Sequence, residues 1–342
     1  MTSLTLSLVT LAALAALSST QPYLTRPELF FAVTVDGTFR QTQAARRIVV
    51  QYRLFGWLTT AILALLMSAG WATPMWALNL AIAAWVFAFL VARRRVLPHH
   101  ASPTTVREAG LRVRSERVPG GVLAMAGPFL ILAAKAAYVR SRWDHIPERF
   151  PVHWGLNGPD RWVDRTPLAV YGSIGYVAGI CAVMILMAYA TIHASRKVLA
   201  TDPADQSEQK FRRVSVLGLL ALAYVFALVL PPISGGTPDV PFAPFLIGGV
   251  VVLFVGVLIW LGQGGTRLRG YQPLLSDASP TGDRTPDECW KLGMIYYNPD
   301  DPALVVEKRF GIGWTLNFGN RWSWIITAAL ACFPVFIRFV TS

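Results

Sequence analysis

Long apolar runs broken by short polar ones dominate the chain. A helix that crosses roughly 30 Å of hydrocarbon needs about 20 apolar residues. Eight segments approach that length: residues 3–19, 55–72, 74–92, 120–139, 168–192, 214–234, 242–261 and 322–340. The first is short and rich in Ser and Thr, which makes it the weakest. The turn around Trp71–Pro74 is so tight that the helices on either side must be antiparallel neighbours. Between the runs, "FFAVTV" (residues 30–35) and "LRVRSERV" (111–118) are β-rich. The tail "MIYYNPDDPALVVEKRFGIGWTLNFGN" reads as strand, Asn-Pro-Asp-Asp-Pro turn, strand, Gly-containing turn, strand. A lone hairpin is marginal, so these pieces are expected to pair into one small sheet beneath the membrane. Residues 272–288 read as a Pro/Ser/Asp-rich linker, and residues 37–53 as a helix lying along the headgroups before it turns into the second span.

The predicted fold class is an all-α polytopic membrane protein of about eight transmembrane helices with a small cytoplasmic β module. Residues 1–261 form the multi-helix membrane domain, 262–321 a linker and hairpin region, and 322–342 the last span.

Composition agrees. The 342 residues are 54% hydrophobic and 15% charged, where a soluble domain carries roughly 25% charged residues. The net charge of +12 would suggest nucleic acid only if it covered one folded face. Mapped onto loops, it instead sets orientation. Loops 20–54, 93–119, 193–213 and 262–321 hold 24 of the 31 Lys and Arg residues and the opposite side holds five, which makes the basic side cytoplasmic. Lys135 and Arg338 lie near outer helix ends, where they can snorkel. Both termini are then extracytoplasmic, in a multi-pass cell-membrane protein whose first segment is a retained helix rather than a signal peptide. The expected partners are the lipid bilayer, an extracytoplasmic peptide and a cytoplasmic protein, with no nucleic acid. The three cysteines imply no disulfide framework. All 19 acidic residues fall outside the eight runs, which argues against an ion-coupled transport path or an intramembrane protease.

Chemistry is therefore sought in the polar regions, and above all in "WDHIPERFPVHWGLNGPDRWVDRTP", residues 143–167. It joins the fourth and fifth runs on the outer face. Pro147, Pro151, Gly155, Gly158 and Pro159 forbid a continuous helix, while Trp143, Trp154 and Trp162 suit a membrane interface. Pro159–Trp162 reads as a turn in which Asp160 bonds nearby amides. His153 and Asp160 are expected to tie the turns together, because Pro- and Gly-dense backbone offers few ladder bonds. Candidate ligand-binding residues are His153, Trp154, Asp160, Arg161 and Trp162, framed by Pro147, Pro151 and Gly158.

Ile146, Pro147, Pro151, His153, Trp154, Gly158, Asp160 and Trp162 resemble the signature of a bacterial membrane family, domain of unknown function 1648. The tail from Trp290 resembles a second, domain of unknown function 5808. The first also occurs in the Sdp immunity proteins, which protect a producing bacterium from a secreted toxic peptide and signal to a cytoplasmic repressor. The resemblance implies a sensor or immunity role.

Against this stands a metal- or lipid-binding enzyme or transport accessory protein. Asp144, His145, Glu148, His153, Asp160 and Asp164 carry donors that suit zinc. Pro147, however, keeps His145 and Glu148 from sharing a helix face. The sequence therefore assigns no metal, cofactor or catalytic residue.

Overall fold

The computed structural model describes residues 3–101, 117–155, 158–195, 203–229, 243–268 and 285–341. The long helices are α1 (Ser3–Thr20), α2 (Gln43–Ser68), α3 (Pro74–Val96), α4 (Gly121–Ser141), α5 (Pro167–His193), α6 (Pro203–Val229), α7 (Ala243–Leu261) and α8 (Arg321–Thr341). Among the described residues, seven helices, corresponding to α1–α7, are long and apolar enough to cross a membrane. The fold is that of a multi-pass membrane protein with small strand pairs. α8 covers the expected last run.

Helix starts follow simple rules. Thr42, Thr73 and Thr166 each accept a hydrogen bond from the amide three residues on, at Ala45, Trp76 and Ala169. Pro74 and Pro167 occupy the first turn, where no amide hydrogen is needed. The Thr42 cap corrects one expectation. No bend separates residues 43–53 from the second run, because α2 runs unbroken from Gln43 to Ser68 and carries Arg46, Arg47 and Arg53 on its first turns.

The helices pack in two groups, α1–α3 and α4–α8, with α8 against α5. In the first, Leu11, Leu63, Met67, Ala77 and Ala81 form one apolar cluster. The Trp85 indole lies directly over the Gly56 backbone, and its Nε1 donates to Thr60 Oγ1 at 3.3 Å. In the second, Leu132, Val177, Cys181, Ala223 and Ala227 are buried together. The Cys181 thiol donates to Ala223 O at 3.3 Å. Lys135 Nζ donates to Leu228 O at 2.7 Å, satisfying a carbonyl in the last turn of α6.

The end of the bundle that carries the basic loops is sealed by three short hairpins rather than one sheet. They pair β1 (Leu29–Phe30) with β2 (Val33–Thr34), β5 (Trp290–Lys291) with β6 (Ile295–Tyr296), and β7 (Val305–Glu307) with β8 (Trp314–Leu316). Among the described residues, their strand-type pairing with neighbours is limited to isolated bridges at Val35–His100, Ser195–Val305 and Tyr296–Asn317. The expected shared sheet is thus corrected to separate hairpins, and residues 111–116 lie outside the described residues. "FFAVTV" is a hairpin in itself, since Phe31 (φ 46°) and Ala32 (φ 61°) turn in the left-handed region. Both are fully buried. The Ala32 carbonyl accepts from Arg93 Nη1 at 2.6 Å and from Arg309 Nη1 at 3.4 Å. Phe31 packs against Tyr52 and Phe310. Tertiary contacts thus hold a turn that costs of order 1–3 kcal/mol per residue in isolation.

Candidate functional site

At the opposite end, α4 passes through a 3-10 turn (Trp143–His145) into an antiparallel hairpin, β3 (Arg149–Gly155) and β4 (Gly158–Asp164), which leads into α5. Arg149 pairs with Asp164, Phe150 with Val163, Pro151 with Trp162, His153 with Arg161, Trp154 with Pro159 and Gly155 with Gly158. The register shifts on either side of His153. The extra residues are Val152 on β3 and Asp160 on β4, as in β-bulges. Two expectations are corrected. Pro159–Trp162 is strand, not turn, and the stretch is held by ladder bonds despite its prolines. Proline is tolerated here because a two-stranded sheet is all edge.

Strand alternation sorts the hairpin's faces. Phe150 (3% exposed) and the partly buried Val163 form its inward pair, packed with Val139, Ile146 and Val170. This cluster fixes the hairpin to the last turn of α4 and the first of α5. On the other face, Arg149 and Asp164 set opposite charges across the ladder, with Pro151 and Trp162 beyond them. Trp162 is 47% exposed, and Arg161 is also exposed.

Arg165 ties the base. Its Nη1 donates to Trp143 O at 3.0 Å and to Ile146 O at 2.9 Å. Its guanidinium lies 5.8 Å from the Trp143 ring centroid, and Trp143 stacks on Tyr171. Arg165 N also donates to Glu148 O at 2.7 Å. Sequence reasoning missed this residue. Its signal was a cation just ahead of a Thr-Pro helix start, where the helix dipole disfavours positive charge.

The described side chains bring Arg161 and Trp162 to one exposed strand. Backbone pairing sets His153, Trp154 and Gly158 on the same ladder and Asp160 at a bulge, but the side chains of residues 152–160 lie outside the described residues. Pro147 stands in the link before β3, and Pro151 opposite Trp162. No group of three metal-ligating side chains occurs among the described residues.

α5 leads from this site to the other end of the bundle. Ala194 O, just past its last turn, accepts from Leu304 N (2.8 Å) and Val305 N (3.1 Å) of the tail hairpin. Arg212 Nη1 donates to Ser195 Oγ at 2.7 Å, and its Nη2 pairs with Glu208 at 2.6 Å. Arg26 Nη2 bridges Glu208 (3.1 Å) and Glu307 (2.7 Å). One buried polar network therefore joins the end of α5, the start of α6, the segment after α1, and β7.

Residues 129–172 match the domain of unknown function (DUF1648). The match covers the end of α4, the whole hairpin and the start of α5, so it coincides with the packed unit. Residues 299–324 match a family of unknown function (DUF5808) and span β7, β8 and the start of α8. No curated protein and no solved structure matches the chain.

Proposed function

We propose that this protein is a membrane sensor of the immunity type: its outer hairpin recognises a peptide or envelope component and α5 relays the event to the cytoplasmic end. The observation that carries this reading is α5. Its 27 residues span about 40 Å at roughly 1.5 Å per residue. Its first turn belongs to the hairpin's core, through Val170. The carbonyl just past its last turn holds the tail strand β7. A shift of the hairpin therefore acts on β7 through one rigid rod.

In this reading α8 is the eighth span, both termini are extracytoplasmic, and the basic end with its three hairpins faces the cytoplasm. The 24-to-5 split of loop charge supports that orientation. Among the described residues β3 and β4 pair only with each other, and such a two-stranded edge suits an extended peptide adding as a strand. Trp162, Arg161, His153, Trp154 and Asp160 would read its side chains. The buried network around Glu208 and β7 is where a cytoplasmic protein partner would be informed.

The test uses the protein in lipid nanodiscs, challenged with the secreted peptide fraction of a producing culture. Hydrogen exchange should slow at residues 149–164 and change at 304–307, and neither effect should occur in Trp162→Ala or Arg161→Ala. Stoichiometric zinc lost on His153→Ala, with no response to peptide, would favour a metal-dependent enzyme instead.

A further inference from the structure

A groove of about 280 Å³ opens between α2 and α3 near the basic end of the bundle. Its floor is Ile48, Tyr52 and Ala88, and its apolar walls include Phe55 and Phe87. Phe55 (42% exposed), Leu58 (55%) and Phe87 (57%) lie on the outside of the bundle. Helices of this length and hydropathy turn such a face toward lipid. The groove's polar end is built from Gln51 and Arg95, and Arg95 Nη1 donates to Gln51 Oε1. Arg47 lies one turn before Gln51 on the same face of α2, and both arginines are exposed. An apolar slot thus ends at the Arg95 guanidinium, and helical spacing sets Arg47 one turn further along the same face of α2.

We propose that this groove is a binding site for an anionic phospholipid, with one acyl chain between Phe55 and Phe87 and the phosphate on Arg95 and Arg47. Guanidinium matches phosphate oxygens in a forked geometry, and the rest of the groove contributes only apolar contact. Selection is therefore for headgroup charge. α1 packs on α2 and α3 at Leu11, Met67 and Ala81 and again behind the groove floor, where Ala15 joins Ile48 and Ala88 and Tyr52 Oη donates to Ser18 O at 2.9 Å, but no α1 residue lines the groove. The site is remote from the outer hairpin and does not depend on its role.

The test is native mass spectrometry of the full chain released from mixed micelles. These would contain equal phosphatidylglycerol and phosphatidylethanolamine of identical acyl chains. Wild type should retain phosphatidylglycerol preferentially. Each of Arg95→Gln and Arg47→Gln should cut that preference about fivefold, the effect of one basic residue near a charged leaflet. Arg46→Gln, on another face of α2, should leave it unchanged and reports any loss from general charge. Circular dichroism establishes that the variants are folded. Equal retention of the two lipids by wild type, or the same preference in the Arg47→Gln/Arg95→Gln double variant, overturns the proposal. A loss as large in Arg46→Gln as in the groove variants also overturns it.

Discussion

Replacing Arg309 with Met should open the basic-end hairpins while leaving the membrane helices intact. Arg309 is fully buried. Its guanidinium donates to the Asp287 carboxylate, to Thr285 O and Thr285 Oγ1, and to Ala32 O. It also lies 5.3 Å from the Trp290 ring centroid. Met preserves most of the volume, so the loss is electrostatic rather than a cavity. Removing one partner of a buried pair costs about 3–5 kcal/mol, because the other charge stays behind. Here Asp287 keeps its bonds from Thr34 N and Thr34 Oγ1, which places the cost near the low end. An opening free energy lower by about 3 kcal/mol speeds local exchange by about 150-fold. Hydrogen exchange at residues 285–316 in nanodiscs measures it. Lys308→Met next door is exposed and should change the same amides by under about 0.5 kcal/mol. If Arg309→Met exchanges no faster than Lys308→Met, the reasoning about this cluster is wrong.

Gly56→Ala should weaken the α2–α3 contact by about 1–3 kcal/mol, since the added methyl meets the Trp85 indole; thermal unfolding in detergent should show a lowered midpoint that Trp85→Leu partly restores. The Asp36 carboxyl, held below its usual range by hydrogen bonds from the side chain and then the backbone of Thr38, should titrate higher in Thr38→Ala by carboxyl NMR. Because the folded value is the lower one, the stabilisation is complete at neutral pH and is lost as pH falls through the ordinary Asp range and then the folded value. Cysteine labelling at Thr38 and at Asp164 should reach opposite faces of sealed membranes; labelling of both from one face would refute the orientation.

The helices were legible because apolar length is a direct consequence of hydrocarbon thickness, and each of α2–α7 includes most of its run. α2 was extended towards the N-terminus past its apolar part, because a Thr cap and good helix formers allow a charged first turn outside hydrocarbon. The β3–β4 hairpin was not legible. Pro151 and Pro159 argue against a strand, and only the packing of Phe150 and Ile146 on the helix ends makes the ladder worthwhile. Nor was the Phe31–Ala32 turn. It lacks the Gly or Asn that normally marks left-handed backbone, and its support comes from Arg93 and Arg309, 61 and 277 residues away. Arg161 and Trp162 were expected in a turn and instead lie exposed on β4. Arg165 offered only its place ahead of a helix start as a signal, because the two carbonyls that it bonds lie 22 and 19 residues away. Burial lowers the Arg40 guanidinium to about 10, which leaves it charged at neutral pH. Its bonds to Thr25 Oγ1 and to the carbonyls of Arg26 and Leu29 are a further long-range arrangement that sequence alone could not disclose.

The claim that α5 couples the two ends is tested most directly by loosening one end and reading the other. Phe150→Ala removes the hairpin's buried anchor, at a cost of about 3–5 kcal/mol, without touching any residue of the basic end. Hydrogen exchange is then followed at the Leu304 and Val305 amides, which donate to Ala194 O. Coupling through α5 predicts faster exchange there as well as across residues 149–164. Faster exchange confined to the hairpin, with Leu304 and Val305 unchanged, would contradict it.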